Sequence, residues 1–205
     1  MISLRAQNLG KWYGQRKVFE GINISLEEKS SLVITGKNGS GKTTLIKILC
    51  GLIRPSRGEV TITKDGKTST SEEIRNYIGL VMPDLELYGE LTAGENLHFL
   101  GRMRGLTTGK EKLRELISSV GLKGREDDLV ASFSSGMKQR LKYAFARLHQ
   151  PEILLLDEPS TNLDEEGITV VEKIVSEQKE KGMLILATNR KEDFKYGDKI
   201  FQLGS

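Results

Sequence analysis

Residues Gly36 to Thr43 read Gly-Lys-Asn-Gly-Ser-Gly-Lys-Thr, a complete match to the pattern G-x-x-x-x-G-K-[ST]. Gly36, Gly39 and Gly41 free the backbone to curl. The N–H groups of this stretch, those of Asn38 and Ser40 included, then turn inward as a nest for anionic oxygens. A β-rich run, Ser31–Thr35, leads into the loop, and a helical pattern, Thr43–Cys50, leaves it. The start of that helix adds a positive partial charge where a phosphate would sit. Such a setting assigns Lys42 to the β- and γ-phosphates of a nucleotide, the Thr43 hydroxyl to Mg²⁺, and Thr44 to the phosphate-binding set. A plain glycine-rich turn is the competing reading, but it requires neither the strand before nor the helix after.

A partner lies far downstream. Ile153–Leu156 is a run of four apolar residues, enough for a buried strand, and it ends in Asp157-Glu158-Pro159. In an open α/β sheet, ligands gather at the carboxyl ends of the strands. Asp157 is therefore expected to hold Mg²⁺ beside Thr43, mainly through water. Glu158 is expected one step nearer the terminal phosphate, as the base that polarises an attacking water. The alternative is a solvated acidic strand end, and a complete phosphate loop in the same chain argues against it.

These groups need elements to carry them. Two alternating stretches, Ile2–Tyr13 and Lys17–Glu28, predict half-buried antiparallel strands, and Glu59–Thr63 alternates again before an Asp65-Gly66 turn. Ile78–Val81, Met183–Ala187 and Lys199–Leu203 are further strand candidates. Helical spacing covers Thr92–Met103, Lys110–Val120, a stretch from Gly136 or Met137 to the approach of Pro151, and Glu165–Lys181. Strands alternate with helices at both ends of the chain, which predicts an α/β fold with a mostly parallel core sheet. The antiparallel strands form an N-terminal part. Residues 83–148 read as a helical subdomain grafted on a core made of 1–82 and 149–205, all within one domain.

Composition bounds the partners. The chain has 205 residues, 37% hydrophobic and 29% charged, enough for a core and a soluble surface. Its net charge of +3, with signs interspersed, demands no nucleic acid and no anionic membrane. The single cysteine, Cys50, excludes an internal disulfide, fits a reducing compartment, and reads as buried helix packing. No apolar run approaches the roughly 20 residues of a membrane span, and the first residues lack a signal-peptide core. Work at a membrane would need another chain to do the crossing.

Taken together, the motifs resemble those of ATP-binding-cassette (ABC) ATPases over essentially the whole length. Phe133–Arg140, Phe-Ser-Ser-Gly-Met-Lys-Gln-Arg, is similar to the family signature L-S-G-G-Q, with Ser134 and Gly136 on the matching serine and second glycine. Ser160–Asp164 resembles the family's D-loop. Lys11-Trp12-Tyr13-Gly14 resembles the stretch whose aromatic stacks on adenine, which nominates Tyr13, with Trp12 as packing or, if the two exchange roles, as the stacking ring. The resemblance implies a P-loop NTPase core that binds ATP and Mg²⁺. It also implies a head-to-tail pair of cassettes, homodimer or heterodimer, in which Ser134 and Gly136 of one copy face the γ-phosphate held by the other. A separate transmembrane permease subunit would hold the protein on the inner face of the cell membrane.

Within the signature, Ser135 and Met137 depart from the family's first glycine and glutamine, and two further positions depart elsewhere. Where it has a glutamine that touches Mg²⁺ and the lytic water, this chain has Pro83, preceded by Met82; neither serves a hard cation, and Asp84 is the nearest substitute. Where it has a histidine on the γ-phosphate, this chain has Asn189, which donates a hydrogen bond but carries no positive charge. His149, at a helix end, reads as a dipole-favoured cap, and His98 as a surface residue. Binding, Mg²⁺ ligation and a base are kept, so slow ATP hydrolysis is expected.

The leading expectation is an ATP-hydrolysing transport subunit without a C-terminal regulatory domain, leaning to the export side. Haem-export, cytochrome c maturation and drug- or lipid-export ATPases are the types it resembles. A soluble assembly factor or a nucleotide-gated scaffold is the alternative. Chromosome and DNA-repair cassettes would need a long coiled coil between Lys42 and Ser134, and that interval is too short.

Overall fold

The computed structural model describes residues 1–69 and 72–204. The chain opens with strands β1 (Ile2–Tyr13), β2 (Arg16–Glu27) and β3 (Ser31–Thr35), then helix α1 (Lys42–Leu49). Strands β4 (Arg57–Lys64), β5 (Lys67–Thr68) and β6 (Ile78–Val81) follow, then helices α2 (Ala93–Met103), α3 (Lys110–Ser119) and α4 (Ser135–Arg147). Strand β7 (Ile153–Asp157), helix α5 (Glu165–Lys181) and strands β8 (Met183–Ala187) and β9 (Lys199–Gln202) complete it.

Two sheets result. One is antiparallel, with strands in the order β2-β1-β4-β5; the other is parallel, in the order β6-β7-β8-β3-β9. Asp65 and Gly66, with φ of 50° and 81°, make the tight turn that the Asp-Gly pair predicts between β4 and β5. Every residue of β7 and β8 is buried, as a parallel strand covered on both faces requires.

Alternation along those strands divides the core. Leu32 and Ile34, Ile153 and Leu155, and Met183 and Ile185 turn toward α1 and the antiparallel sheet. Val33, Leu154, Leu156, Leu184 and Leu186 turn the other way, against α4, α5 and residues of α2 and α3. The parallel sheet is thus sandwiched. Cys50 is buried at the end of α1, in the packing role expected for it.

Helix starts obey their local chemistry. Thr92 and Glu95 form a reciprocal capping box on α2, and Asp164 caps α5 by accepting from the Gly167 N–H at 2.9 Å. Helix α4 begins earlier than the sequence suggests. Ser134 is its cap, accepting from the Met137 N–H at 3.2 Å, so Gly136 lies inside the first turn. Gly79 lets β6 pass close to α4, since a Cβ there would sit 2.3 Å from the Ala146 carbonyl oxygen.

His149 differs from its expected role. Its Nε2 lies 3.1 Å from the Ile78 carbonyl and 2.9 Å from Arg104 Nη1. Burial, with the Arg104 guanidinium beside it, pushes its pKa down to about 4. The ring is neutral at ordinary pH and is a packing group, not a charged cap. An unfolded histidine takes its proton near pH 6.5, whereas the folded one resists until about 4, so the fold loses stability as pH falls through that window. The loss should be about 1–2 kcal/mol after solvent screening. Denaturant titrations at pH 7 and pH 4.5 should show a smaller difference in His149→Gln than in the wild type; equal differences would refute this account.

Candidate functional site

The order of the parallel strands decides where the functional groups meet. The loops that follow β3, β7 and β8 leave the same edge of the sheet, and these strands are neighbours in the order β7-β8-β3. The loop after β3 is the glycine-rich one. Gly41, at φ 101°, has no room for a Cβ, which would lie 2.5 Å from Val18 Cγ1; at Gly36 it would lie 2.5 Å from the Leu203 carbonyl oxygen. The curl is therefore wedged between β2 and the end of β9. Lys42 opens α1 and is buried, and its ammonium folds back to donate to the carbonyls of Gly36 at 2.9 Å and Lys37 at 3.5 Å.

Asp157 ends β7 at 1% exposure. Its Oδ2 accepts from the Thr43 hydroxyl at 2.7 Å, while its Oδ1 is buried with no partner. Burial raises its pKa, opposed by the Thr43 hydrogen bond and the Lys42 charge. Glu158 follows in a left-handed conformation, φ 49°, with its N–H donating to the Ala187 carbonyl at 2.8 Å. A non-glycine residue in this region is strained and is held only by its surroundings. Burial also raises the Glu158 pKa, with Lys42 pulling the other way.

Asn189 leaves β8 and donates its amide to the Asn38 side-chain oxygen at 2.6 Å, so the loops after β8 and β3 touch. Tyr13, at the end of β1, is half-exposed, with Lys11 Nζ 5.0 Å from its ring centre. Trp12 packs instead against Gly10. A cleft of about 680 Å³ joins Tyr13 to the phosphate loop, running past Asn38, Gly39, Gly41, Lys42, Thr43 and Thr44 to Glu158. Arg16 and Val18 line it as well. Sequence reasoning missed both; their only signal is that the β1–β2 hairpin carrying Tyr13 must also present the start of β2. Ser40 lies in the loop outside that lining, its hydroxyl buried without a partner.

Ser134 and Gly136 are not in that cleft. Both sit at the start of α4, with Ser134 exposed, and Gly136 lies against the Asn162 carbonyl of the segment after β7. The loop after β6, which carries the Met82-Pro83 departure, is clamped from two sides. Lys142 of α4 donates to the carbonyls of Met82 at 3.2 Å and Pro83 at 2.9 Å, and Lys47 of α1 pairs with Asp84 at 2.6 Å. Asp84 is thus engaged by a lysine. Among the described residues, no helix is long and apolar enough to cross a membrane.

Known proteins resemble this chain in sequence and fold. The family model described as ABC transporter matches residues 19–161. The linearmycin resistance ATP-binding protein LnrL of Bacillus subtilis is 36% identical over 91% of this chain, and the chain spans only 60% of that protein's length. The lantibiotic transport ATP-binding protein SrtF of Streptococcus pyogenes is 33% identical over 91% of this chain and 79% of its own. Among solved structures, a dimeric ATP-binding cassette in a post-hydrolysis state with ADP and Pi superposes with a TM-score of 0.84, covering 98% of this chain and 94% of that one at 24% identity. Phosphate loop, capped α4 and acidic strand end all occur in this one chain, in that order: the loop before α1, α4 next and the acidic end of β7 last. The chain belongs to the ABC transporter family.

Proposed function

We propose that this chain is the ATP-hydrolysing subunit of a membrane transporter, working as one of two facing cassettes beneath a separate membrane-spanning subunit. The observation that carries the reading is the Thr43–Asp157 hydrogen bond, which puts a hydroxyl and a carboxylate at the mouth of the phosphate loop with Glu158 next in the chain. The unpartnered, buried Oδ1 of Asp157 adds a second hard oxygen pointing to a cation, so the donor set suits Mg²⁺. When bound, Mg²⁺ would offset the charge of the phosphate oxygens.

The chain's own groups then have distinct tasks. Tyr13 stacks on the adenine, beside Arg16. Backbone amides of Gly36–Thr44 hold the phosphates, and Lys42 leaves the Gly36 carbonyl to meet the β- and γ-oxygens. Glu158 takes the proton of the attacking water as the bond to the γ-phosphorus forms and the bond to the leaving β-phosphate oxygen breaks. Asn189 exchanges Asn38 for a γ-phosphate oxygen and donates a hydrogen bond there. Pro83 supplies nothing to the water, and an amide stands where an imidazole would be. Losing one such donor costs about 3 kcal/mol, roughly a hundredfold in rate, so turnover is slow.

Ser134 and Gly136 serve the other cassette. Their helix tip, outside the lining of this chain's own cleft, would present N–H groups and a dipole to an anion held by that other cassette. The dimeric cassette structure supports such a pairing. Residues 83–148 form the lobe that meets the membrane subunit. A groove of about 350 Å³ there, lined by Pro83, Leu85, Leu87, Lys138 and Lys142 among others, suits a short helix. The relatives' names support transport, and the protein would lie on the inner membrane face through its permease. The altered Met82-Pro83 loop is what favours the second reading, a soluble assembly ATPase; purification from detergent extracts separates the two, by a multi-span partner or a soluble complex.

Lys42→Ala should lose ATP binding by fluorescent-nucleotide titration, whereas Glu158→Gln should keep it and drop phosphate release at least a hundredfold with partner present. Wild-type affinity in the first, or wild-type release in the second, contradicts the assignments. In a Glu158→Gln background, Ser134→Arg should abolish ATP-dependent dimers on size exclusion while leaving monomer nucleotide binding intact. Dimers that persist would place the interface elsewhere.

A further inference from the structure

One buried carboxylate near the site takes no part in nucleotide chemistry. Asp193 lies in a short 3-10 turn, Lys191–Tyr196, at 2% exposure. Its Oδ1 accepts from the Ser160 hydroxyl at 2.6 Å and its Oδ2 from the Thr188 hydroxyl at 2.8 Å. Ser160 and Thr188 are themselves buried. Each belongs to a different functional loop: Ser160 stands two residues after Glu158, and Thr188 stands one before Asn189.

Arg190 adds a second tie between the same loops. Its N–H donates to the Thr188 hydroxyl at 3.0 Å and its guanidinium to the Ser160 carbonyl at 3.0 Å. The Glu158 N–H to Ala187 carbonyl bond is a third. On the far side, the fully buried Tyr143 of α4 donates to the Pro159 carbonyl at 2.9 Å. A carboxylate is costly to bury unless its oxygens are satisfied. Here both are, one by each of two separate segments. The segment so held is strained at two residues, Glu158 at φ 49° and Asn162 at φ 62°. Strain of this kind persists only where surrounding bonds over-determine it.

We propose that Asp193 is a positioning residue that locks the Glu158–Asn162 turn to the Thr188–Arg190 turn, so that the base and the γ-phosphate donor move as one body. Asp193 touches no substrate; it acts through Ser160 and Thr188. The role rests on the proposed ATPase reading for its consequence in turnover, but not for the coupling of the loops. Gly136 lies against Asn162, so the same body reaches the tip of α4.

The test uses Thr188→Val and Ser160→Ala, each removing one donor to Asp193, with Thr188→Ser restoring the hydroxyl. Hydrogen exchange of the nucleotide-free protein should rise at least tenfold across residues 158–162 in Thr188→Val and across 187–190 in Ser160→Ala, with Thr188→Ser near wild type. Either substitution should lower kcat at least tenfold while KM for ATP stays within twofold. Exchange confined to the substituted loop, or wild-type kcat in a folded variant, overturns the proposal. If one variant does not fold, the other decides. Cross-loop exchange in a wild-type protein with no turnover would count against the ATPase reading alone.

Discussion

A buried carboxylate with half its hydrogen-bonding capacity unfilled is the constraint around which this structure is arranged. Asp157 is driven into the interior by the apolar strand that carries it, and only one of its oxygens finds a partner, the Thr43 hydroxyl. The bond spans 114 residues of chain and joins the acidic strand end to the first turn of the phosphate-loop helix. An unmet buried acceptor is unfavourable by about 1–3 kcal/mol, and in the proposed function a cation would relieve it.

The rest of the fold serves to bring three loops to that carboxylate. Parallel strands must be covered on both faces, and the helices that cover them begin at the same edge where the strands end. Helix α1 begins at the phosphate loop, α5 at Asp164 beyond the acidic pair, and α4, packed on the opposite face from α1, begins at the exposed Ser134. The cleft and the α4 tip are thus both consequences of one sandwich. Ser134 and Gly136 lie outside the cleft's lining, which is why the proposed mechanism gives them to a second cassette.

Departures from the family are accommodated without leaving the loops loose. Where glutamine is absent, the backbone of Met82 and Pro83 is held by Lys142, and Asp84 by Lys47, so the loop is tied both to α4 and to α1. Burial lowers the Lys142 pKa, a sign that this tie is made at the expense of hydration. Where histidine is absent, Asn189 rests on Asn38.

Much of this was legible in the residues themselves. The phosphate loop, the apolar strand ending in two acids, α5 and the Asp65-Gly66 turn follow from spacing and local propensity, because glycine, proline and period-3.6 or period-2 patterns act over a few residues. Contacts between distant segments were not. Nothing local to Arg16 marks it as lining the cleft, nothing at His149 announces an arginine 2.9 Å away, and Asp193 looks like one acid among many on a charged turn. The type of each element and the chemistry of each motif were decided by neighbours in the chain. Which loops share a carboxylate, which histidine stays neutral and which helix tip faces outward were decided by packing, since burial and long-range hydrogen bonds exist only once the strands have taken their order in the sheet.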